Sequence, residues 1–192
     1  MREFIPHHGC FAIDGALTTG ECRGWVERAE RIGFSEALIN GLGGQVRVPE
    51  VRNNDRVILD DRRASAALFE RLRPQLPQGH CLEYPPGLPG IRRGRTIGVN
   101  ERLRLYRYHP GQQFYWHRDG SWSPSPDVWS VWTVMVYLND EFEGGATGFG
   151  GFEITPRTGT CLVFLHELEH CGAVVTRGVK YVLRTDLMVR AV

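Results

Sequence analysis

Three residues in the second half of the sequence have side chains that commonly bind a single metal ion. His117 and Asp119 stand two positions apart, so on an extended segment both side chains project to the same face. His170 follows several predicted strands later and could supply a third ligand from a neighbouring strand or turn. Two imidazoles and one carboxylate leave open positions on an octahedral metal, which is typical of non-haem iron(II) centres. The alternative is that this short pattern arose by chance.

Two basic residues follow the second histidine on a predicted strand. Lys180, Val182 and Arg184 alternate along the run that ends at Asp186, so the two cations point to the same side. Unpaired charges inside a β-barrel are costly, and an inward orientation therefore predicts an anionic ligand such as a carboxylate. If this face is exposed instead, the two side chains are solvated surface residues.

A second metal-binding pattern overlaps the first. His166-Glu-Leu-Glu-His170 matches H-E-x-x-H, in which two histidines one helical turn apart bind zinc in metalloproteases. That site requires a helix, yet residues 160–165 read as a strand and Gly172 would end a helix just after the second histidine. We therefore expect His166 to be a local hydrogen-bonding residue, and the zinc protease remains the weaker alternative.

Aromatic residues cluster around the His117 motif. Six aromatic residues could form a binding wall, with core packing as the alternative for about half of them: Phe114, Tyr115, Trp116, Trp122, Trp129 and Trp132. Arg52, Asn53 and Arg56 are candidate substrate contacts that the sequence does not place.

An arginine-rich segment raises the question of a nucleic-acid substrate. Its members are Arg92, Arg93, Arg95, Arg102, Arg104 and Arg107. The segment spans a glycine-containing loop and an alternating strand, so its side chains should point in several directions, with Arg104 facing inward beside Tyr106 and Tyr108. We therefore do not expect nucleic acid as a partner. An acidic peptide or a small carboxylate would account for some of these arginines equally well.

The composition indicates one domain with little net charge. A chain of 192 residues with 42% apolar residues can bury one substantial core. The formal net charge of +1 offers no general attraction for nucleic acid or anionic lipid. The sequence shows no secretory signal pattern and no apolar run of membrane-spanning length. Five widely spaced cysteines without a C-x-x-C pair favour free thiols, so we expect a cytoplasmic protein with no membrane partner.

Local patterns predict helices first and strands afterwards. Thr18 and Glu21 form a capping box before a helix that ends at Gly33, with Cys22, Trp25, Val26, Ala29 and Ile32 on its apolar face. A second helix should begin near Asp60 or Asp61, turn Ala64, Ala67, Leu68 and Leu72 inward, and stop at Pro74. From about residue 100 we expect an all-β region with strands at Leu103–Tyr108, Val131–Asn139, Thr160–Leu165 and Lys180–Val189, and loops at Ser121–Asp127 and Glu143–Gly151. The result is an α+β fold in which helices pack against an antiparallel barrel or jelly roll that encloses a cavity.

Residues 97–190 resemble the catalytic core of the 2-oxoglutarate and iron(II)-dependent oxygenases, in their prolyl 4-hydroxylase-like branch. The resemblance rests on several elements in the same order: the run from Arg104 to Asp119, Val136-Tyr-Leu-Asn139, Gly144-Gly-Ala-Thr147, Pro156-Arg-Thr-Gly159, His170, Gly178 and Lys180. It implies a double-stranded β-helix (jelly-roll or cupin-like) with supporting N-terminal helices. It divides one domain, 1–192, into a helical support region at 1–98 and a metal-binding core at 99–192.

The resemblance also implies a ligand set and a reaction. His117, Asp119 and His170 would bind Fe(II), and Lys180, ten residues after the distal histidine, would pair with the distal carboxylate of 2-oxoglutarate. Tyr137 and Tyr108 match tyrosines that line the same cosubstrate site, and Arg184 could share or replace the role of Lys180 because its planar fork suits a carboxylate. The implied enzyme hydroxylates a C–H bond of a peptide residue, an amino acid or a small metabolite with O₂, and ascorbate is expected to stimulate it.

The chain departs from the family pattern at two places. Many relatives have Gly-Gly-Glu-Thr where this chain has Ala146 before Thr147, and Trp116 and Trp122 crowd the metal motif. Neither change touches the predicted ligands, but both bear on the substrate, which the sequence leaves open together with the oligomeric state. A barrel of the same shape that binds a metal or an anion without turnover is the other alternative.

Overall fold

The computed structural model describes residues 2–3, 9–41, 44–83 and 91–192, with side chains described at 9–39, 44–79 and 93–192. The prediction of no secretory signal rests on the N-terminal residues, and most of these lie outside the described residues. Helices are α1 (Thr19–Ile32) and α2 (Arg62–Leu72). Strands are β1 (Arg2–Glu3), β2 (Cys10–Ile13), β3 (Ser35–Glu36), β4 (Ile39–Gly41), β5 (Gly44–Val46), β6 (Asp55–Asp60), β7 (Gly79–Glu83), β8 (Ile91–Val99), β9 (Arg102–Tyr108), β10 (Phe114–His117), β11 (Val128–Tyr137), β12 (Phe142–Gly144), β13 (Thr147–Phe149), β14 (Phe152–Ile154), β15 (Cys161–Leu165), β16 (His170–Gly172), β17 (Val175–Gly178) and β18 (Lys180–Ala191).

Both predicted helices form, and their caps explain where they begin. The Thr18 hydroxyl accepts a hydrogen bond from the Glu21 amide at 3.2 Å, and the Glu21 carboxylate accepts one from the Thr18 amide at 2.8 Å. Asp61 caps α2 by accepting from the Ala64 amide at 2.9 Å. Each cap satisfies backbone donors that have no partner inside the helix. Neither helix among the described residues is long and apolar enough to cross a membrane.

A ten-stranded antiparallel sheet carries most of the fold. Its main path runs β1-β2-β15-β11-β18-β9-β6-β3, with β8 beside the C-terminal half of β18 and β7 beside β8. A smaller sheet runs β10-β16-β13-β14, and two further pairs are β12-β17 and β4-β5. The described part of residues 99–192 contains strands and no helix, which confirms the predicted all-β second half.

The large sheet has two differently covered faces because side chains alternate along each strand. On one face, apolar residues such as Leu105, Val134 and Leu183 pack in a core with Cys22 and Leu72 of the helices. The opposite face packs against the smaller sheet through aromatic and aliphatic residues: Tyr106, Tyr108, Tyr137, Phe149, Phe164 and Val182. The space that remains between the sheets is therefore lined by the even-numbered residues of β9 and β18.

Several expectations about the elements are wrong in detail. Ala67 and Ile32 are exposed rather than inward, and Ser65 is buried in place of Ala67. The segment Glu143–Gly151 contains strand β13, because its backbone pairs with both β14 and β16. The N-terminal region is not purely helical, since β2, β6 and β8 are integral strands of the large sheet. These strands carry little period-two signal, because β2 is a short run buried on both faces and β8 and β13 contain glycine, and the pairing partner supplies their stability.

Candidate metal centre and substrate cavity

Two paired strands bring the three predicted metal ligands together. His117 ends β10 and His170 begins β16, and these residues lie directly opposite each other in the antiparallel pairing. Asp119 lies two residues beyond His117, with its carboxylate 3.8 Å from His117 Nε2 and 3.7 Å from His170 Nε2. The three ligand atoms lie within 4.8 Å of one another, and this is the single such group found among the described residues.

Backbone carbonyls orient both imidazoles. His117 Nδ1 lies 2.7 Å from the Tyr115 carbonyl oxygen, and His170 Nδ1 lies 2.9 Å from the Leu168 carbonyl oxygen. A carbonyl can only accept, so each Nδ1 donates and each Nε2 presents its lone pair toward Asp119. Burial lowers the pKa of both histidines, that of His117 to about 4. Both rings are therefore neutral near pH 7, which is the form that binds metals.

The carboxylate of Asp119 is held ionised. Burial alone would raise its pKa, but the Arg184 guanidinium, at 3.0 Å, and a hydrogen bond from the Thr133 hydroxyl hold the pKa well below its usual range. The Asp119 amide also donates to the His166 carbonyl at 3.0 Å, which fixes the loop after β10. Two neutral imidazoles and one carboxylate are a donor set that fits Fe(II) and related divalent ions.

A cavity of about 500 Å³ opens over these three side chains. Its wall combines residues of β6, β9, β10, β11, β13, β15, β16 and β18 with residues just before β6 and just after β10. They include Val51, Arg52, Arg56, Arg104, Tyr106, Tyr108, Phe114, Arg118, Thr133, Met135, Thr147, Phe164, Cys171, Lys180, Val182 and Arg184. A volume of this size is within the range of small-molecule sites.

Lys180 is a buried cation of the cavity, and no carboxylate pairs with it among the described residues. It is 3% exposed, and its Nζ donates to the Gly145 carbonyl oxygen at 2.6 Å. The ring centres of Tyr108 and Tyr137 lie 5.3 and 5.6 Å from Nζ. Burial lowers the pKa of Lys180 to about 7. An anionic ligand at this position would restore the charged form.

Arg184, the other candidate for binding an anion, is already neutralised. Its Nη2 lies 3.0 Å from Asp119 and 3.1 Å from Asp186. Although burial opposes its charge, these two carboxylates raise the pKa of Arg184. The sequence could not distinguish Arg184 from Lys180 because both stand on the same face of β18. In the structure, Arg184 orients a predicted metal ligand, while Lys180 is available to a ligand.

The two predicted tyrosines occupy different layers. Tyr108 lines the cavity, whereas Tyr137 is fully buried behind Thr147 and its hydroxyl lies 2.7 Å from Thr147 Oγ1. Thr147 itself lines the cavity. Sequence reasoning did not single out Thr147 or Thr133 as site residues. The Gly144-Gly145-Ala146-Thr147 motif was the signal for the first, and the inward alternation of β11 was the signal for the second.

The six aromatic residues of the predicted binding wall divide between core, surface and cavity. Trp129 is buried, and Trp132 packs against the core. Tyr115, Trp116 and Trp122 are exposed, and Phe114 stacks on the imidazole of His117 with ring centres 3.5 Å apart. Two of the six aromatic residues are therefore core, fewer than the half that was predicted, and Phe114 is the member that lines the cavity.

The protease alternative is incompatible with the geometry. Residues 166–169 form turns and bends rather than a helix, so His166 and His170 do not share one helical face. His166 instead lies 3.0 Å from the Thr133 hydroxyl and 3.1 Å from the Ser130 hydroxyl, inside the protein. His166 therefore serves as the local hydrogen-bonding residue that the sequence analysis expected.

The arginine-rich segment presents no continuous basic surface among the described side chains. Arg102 pairs with Asp60 and Arg104 with Asp186, while Arg107 pairs with Glu30 and Asp55. Arg93 and Arg95 are exposed, and the Arg92 side chain lies outside the described set. Arg104 faces the cavity with Tyr106 and Tyr108, as predicted.

Comparison with known proteins shows which families and proteins this chain resembles. Residues 103–185 match the family model of the 2OG-Fe(II) oxygenase superfamily. A putative prolyl 4-hydroxylase of Acanthamoeba polyphaga mimivirus is 31% identical over 102 residues, which are 43% of this chain and 42% of that protein. The match therefore spans less than half the length of that relative.

Solved structures share the fold across nearly the whole chain. A viral collagen prolyl hydroxylase of Paramecium Bursaria Chlorella virus-1 is 20% identical with a TM-score of 0.63, covering 94% of this chain and 96% of that one. A Pseudomonas putida prolyl-4-hydroxylase is 17% identical with a TM-score of 0.64, covering 94% and 92%. A prolyl hydroxylase of Trichoplax adhaerens, solved with a hypoxia inducible factor peptide fragment, is 16% identical with a TM-score of 0.65, covering 93% and 83%. The shared architecture confirms the predicted double-stranded β-helix.

Proposed function

We propose that this chain is a dioxygenase that uses Fe(II) and 2-oxoglutarate to hydroxylate a C–H bond, because residues 103–185 match the family model of the 2OG-Fe(II) oxygenase superfamily. The net reaction converts R–H, O₂ and 2-oxoglutarate into R–OH, succinate and CO₂. The observation that carries the proposal is the convergence of His117, Asp119 and His170 at the floor of a cavity with a buried lysine in its wall.

The protein's own part in this reaction is to hold and orient. His117, Asp119 and His170 would hold iron, because their neutral rings and ionised carboxylate are already directed at one point. Arg184 and Thr133 fix the carboxylate, and the Tyr115 and Leu168 carbonyls fix the rings. When bound, iron supplies the oxygen chemistry that amino-acid side chains cannot provide.

The cosubstrate would lie between the metal ligands and Lys180. We assign Lys180, with Tyr108 and Thr147 nearby, to the distal carboxylate of 2-oxoglutarate. The support is that Lys180 is a buried cation with a neutral backbone carbonyl as its hydrogen-bond partner. We assign Arg184 to positioning Asp119, since two carboxylates already occupy it. Tyr137 would position Thr147 from behind through the bond between their hydroxyls.

The substrate would be a peptide or a small molecule that enters past the exposed aromatic residues. The Trichoplax relative is described as a complex with a peptide fragment. Here Tyr115, Trp116 and Trp122 are exposed next to the His117 motif, and large exposed aromatics are common at binding sites. The cavity itself is large enough for one side chain or a small metabolite.

Succinate release tests this function. Purified protein with Fe(II), ascorbate and 2-oxoglutarate should form succinate, and a panel of peptides, amino acids and metabolites should include compounds that accelerate it. Turnover should fall to background in His117→Ala, because one of three metal ligands is lost. His109→Ala is the matched control, since His109 does not line the cavity.

Two outcomes would contradict the proposal. Equal succinate formation by wild type and His117→Ala would show that the assigned metal centre does not support turnover. Binding of iron and 2-oxoglutarate without succinate, for every compound tested, would instead favour a binding module of the same fold.

A further inference from the structure

Two partly or fully buried arginines of the cavity wall lack the carboxylate partners that their buried neighbours have. Arg52 and Arg56 both line the cavity, and neither forms an ion pair with any described residue. By contrast, Arg104, Arg107 and Arg184 on adjacent strands each contact one or two carboxylates at 3.0 to 3.1 Å. The fold thus neutralises its other partly buried arginines and leaves these two cations uncompensated.

Arg52 is the stronger of the two observations because it is deeply buried. It is 7% exposed, and its Nη2 has no hydrogen-bond partner. Its Nε donates to Asn54 Oδ1 at 2.8 Å, and its guanidinium lies over the rings of Tyr106 and Phe114, 4.6 and 4.4 Å from their centres. These contacts orient the planar group and leave its Nη2 without a partner.

Arg56 adds a second positive charge beside it, bonded to neutral groups. Its Nη1 donates to the Leu38 carbonyl at 3.3 Å and its Nη2 to Gln45 Oε1 at 2.7 Å. Burial and the nearby charges of Arg52 and Arg104 lower the pKa of Arg56. An arginine is not deprotonated in proteins, so both groups stay charged and repel each other unless an anion lies between them.

Strand register separates this pair from the proposed cosubstrate site. Tyr108 lies opposite Lys180, whereas Tyr106, one step further along the same face of β9, lies opposite Arg56. Two residues along a strand correspond to about 6.6 Å, and β9 lies between β18 and β6. Phe114, which Arg52 covers, stacks on His117, so a group held by the arginines would sit on the His117 side of the metal ligands.

We propose, building on the oxygenase function proposed above, that Arg52 and Arg56 bind a carboxylate of the substrate. The enzyme then acts on an acidic substrate: a free amino or organic acid, or an acidic residue of a peptide. A guanidinium presents parallel N–H donors that match the two oxygens of a carboxylate. The carboxylate would supply the missing partner of Arg52 Nη2, offset the repulsion between the two cations, and fix which C–H bond faces the metal centre.

Matched pairs of acids and amides test the proposal directly. Free amino acids, short hydroxy acids and peptides containing Asp or Glu are each paired with the primary amide of the same compound. Acceleration of succinate release is measured for every pair, and binding of the best pair is measured by calorimetry on Mn(II)-loaded protein. We expect accelerating compounds to be acids, with the amide at least about tenfold weaker. Free acids and acidic peptides are separate arms, so the same panel shows which source carries the carboxylate.

Variants locate the effect at the two arginines. In Arg52→Gln and Arg56→Gln the ratio of acid to amide affinity should fall toward unity. Arg52→Lys should keep only part of the preference, because an ammonium lacks the parallel N–H donors of the guanidinium. Arg95→Gln is the control, since Arg95 is exposed on β8 and does not line the cavity. Arg56 is only half-buried, so Arg56→Gln tests the proposal even if Arg52→Gln does not fold, as judged by circular dichroism.

Three results would overturn the proposal: amides that accelerate as well as acids, a preference for acids that survives both glutamine variants, or variants that weaken 2-oxoglutarate rather than the substrate. Failure of the oxygenase function is a separate result. It would be seen as no succinate from the wild type under any condition, and the calorimetric acid and amide comparison would still decide whether the arginines bind a carboxylate.

Discussion

Lys180 and Arg184 lie four residues apart on one face of β18, yet they differ in the groups that surround their charges. Arg184 contacts Asp119 and Asp186, so its charge is matched before any ligand arrives. Lys180 has a single neutral acceptor, the Gly145 carbonyl, and is enclosed by two tyrosine rings. A buried ammonium in such surroundings is easily neutralised, and its charge is recovered when an anion binds.

The binding of 2-oxoglutarate should therefore depend on pH through Lys180. Its pKa, lowered by burial to about 7, means that the unliganded protein loses the ammonium as the pH rises through this value. The carboxylate binds the charged form, so the dissociation constant should increase by up to about tenfold per pH unit above about pH 7. Calorimetric titration of the Mn(II)-loaded protein between about pH 6 and pH 9 measures this slope.

Lys180→Arg is the matched control for this prediction. Arginine stays charged across the range, so the slope above pH 7 should disappear even if the longer side chain weakens binding at every pH. A wild-type protein whose affinity for 2-oxoglutarate does not change between pH 7 and pH 9 would show that Lys180 is not the group that binds the carboxylate.

At the scale of elements, a glycine turn before β13 places the carbonyl that holds Lys180. Gly144 adopts φ +73°, and a Cβ there would lie 2.3 Å from the Val174 carbonyl oxygen. Gly145, with φ +64°, follows it and provides the carbonyl oxygen that accepts from Lys180. The turn follows β12, which pairs with β17, and it thus places the Gly145 carbonyl in contact with Lys180 in the cavity wall.

Gly144→Ala should consequently damage both stability and cosubstrate binding. The positive φ and the contact with backbone atoms predict a loss of about 1–3 kcal/mol or more in the free energy of unfolding. Displacement of the Gly145 carbonyl should also weaken 2-oxoglutarate binding. Gly150→Ala is the control, because Gly150 has open space around its Cβ position. Urea unfolding and calorimetry measure the two effects, and equal behaviour of both variants would contradict the assigned role of the turn.

At the scale of the whole molecule, the N-terminal half completes the sheet on which the site is built. Strand β2 pairs with β15, β6 pairs with β9, and β8 pairs with β18. The helices cover the apolar face of the same strands. Arg52 and Arg56, which complete the cavity wall, also come from this half. The metal ligands therefore depend on strands that lie outside residues 99–192.

A fragment of residues 99–192 should not fold on its own. It would leave β9, β15 and β18 each without one paired strand and would expose the core that α1 and α2 cover, so unpaired strand edges and apolar surface would be exposed together. Tryptophan fluorescence during urea unfolding should show a cooperative transition for the full chain and none for the fragment. A fragment that unfolds cooperatively would show that the predicted metal-binding core is independent of the N-terminal region.

Residue type and short spacing were sufficient to predict several groups. These were the His117 and Asp119 pair, the alternating face that carries Lys180 and Arg184, the capping box of the first helix and the strands from Leu103 onward, because strand and helix periods fix which side chains share a face. Five cysteines without a paired pattern predicted free thiols, and the four described ones are free.

Which of these groups act together depends on contacts between strands that are distant in the sequence. Arg184 and Lys180 look alike in sequence, and their difference arises from Asp119, Asp186 and Gly145, which other strands bring beside them. His166 does not join His170 as a metal ligand, because residues 166–169 form turns and bends instead of a helix. Arg56 joins the cavity through the pairing of β6 with β9, about 50 residues away in sequence, and Arg52 joins it through a bridge to Phe114 at the start of β10. Local rules give the face on which a side chain lies, whereas its partners follow from strand register, which is set by packing across the whole sheet.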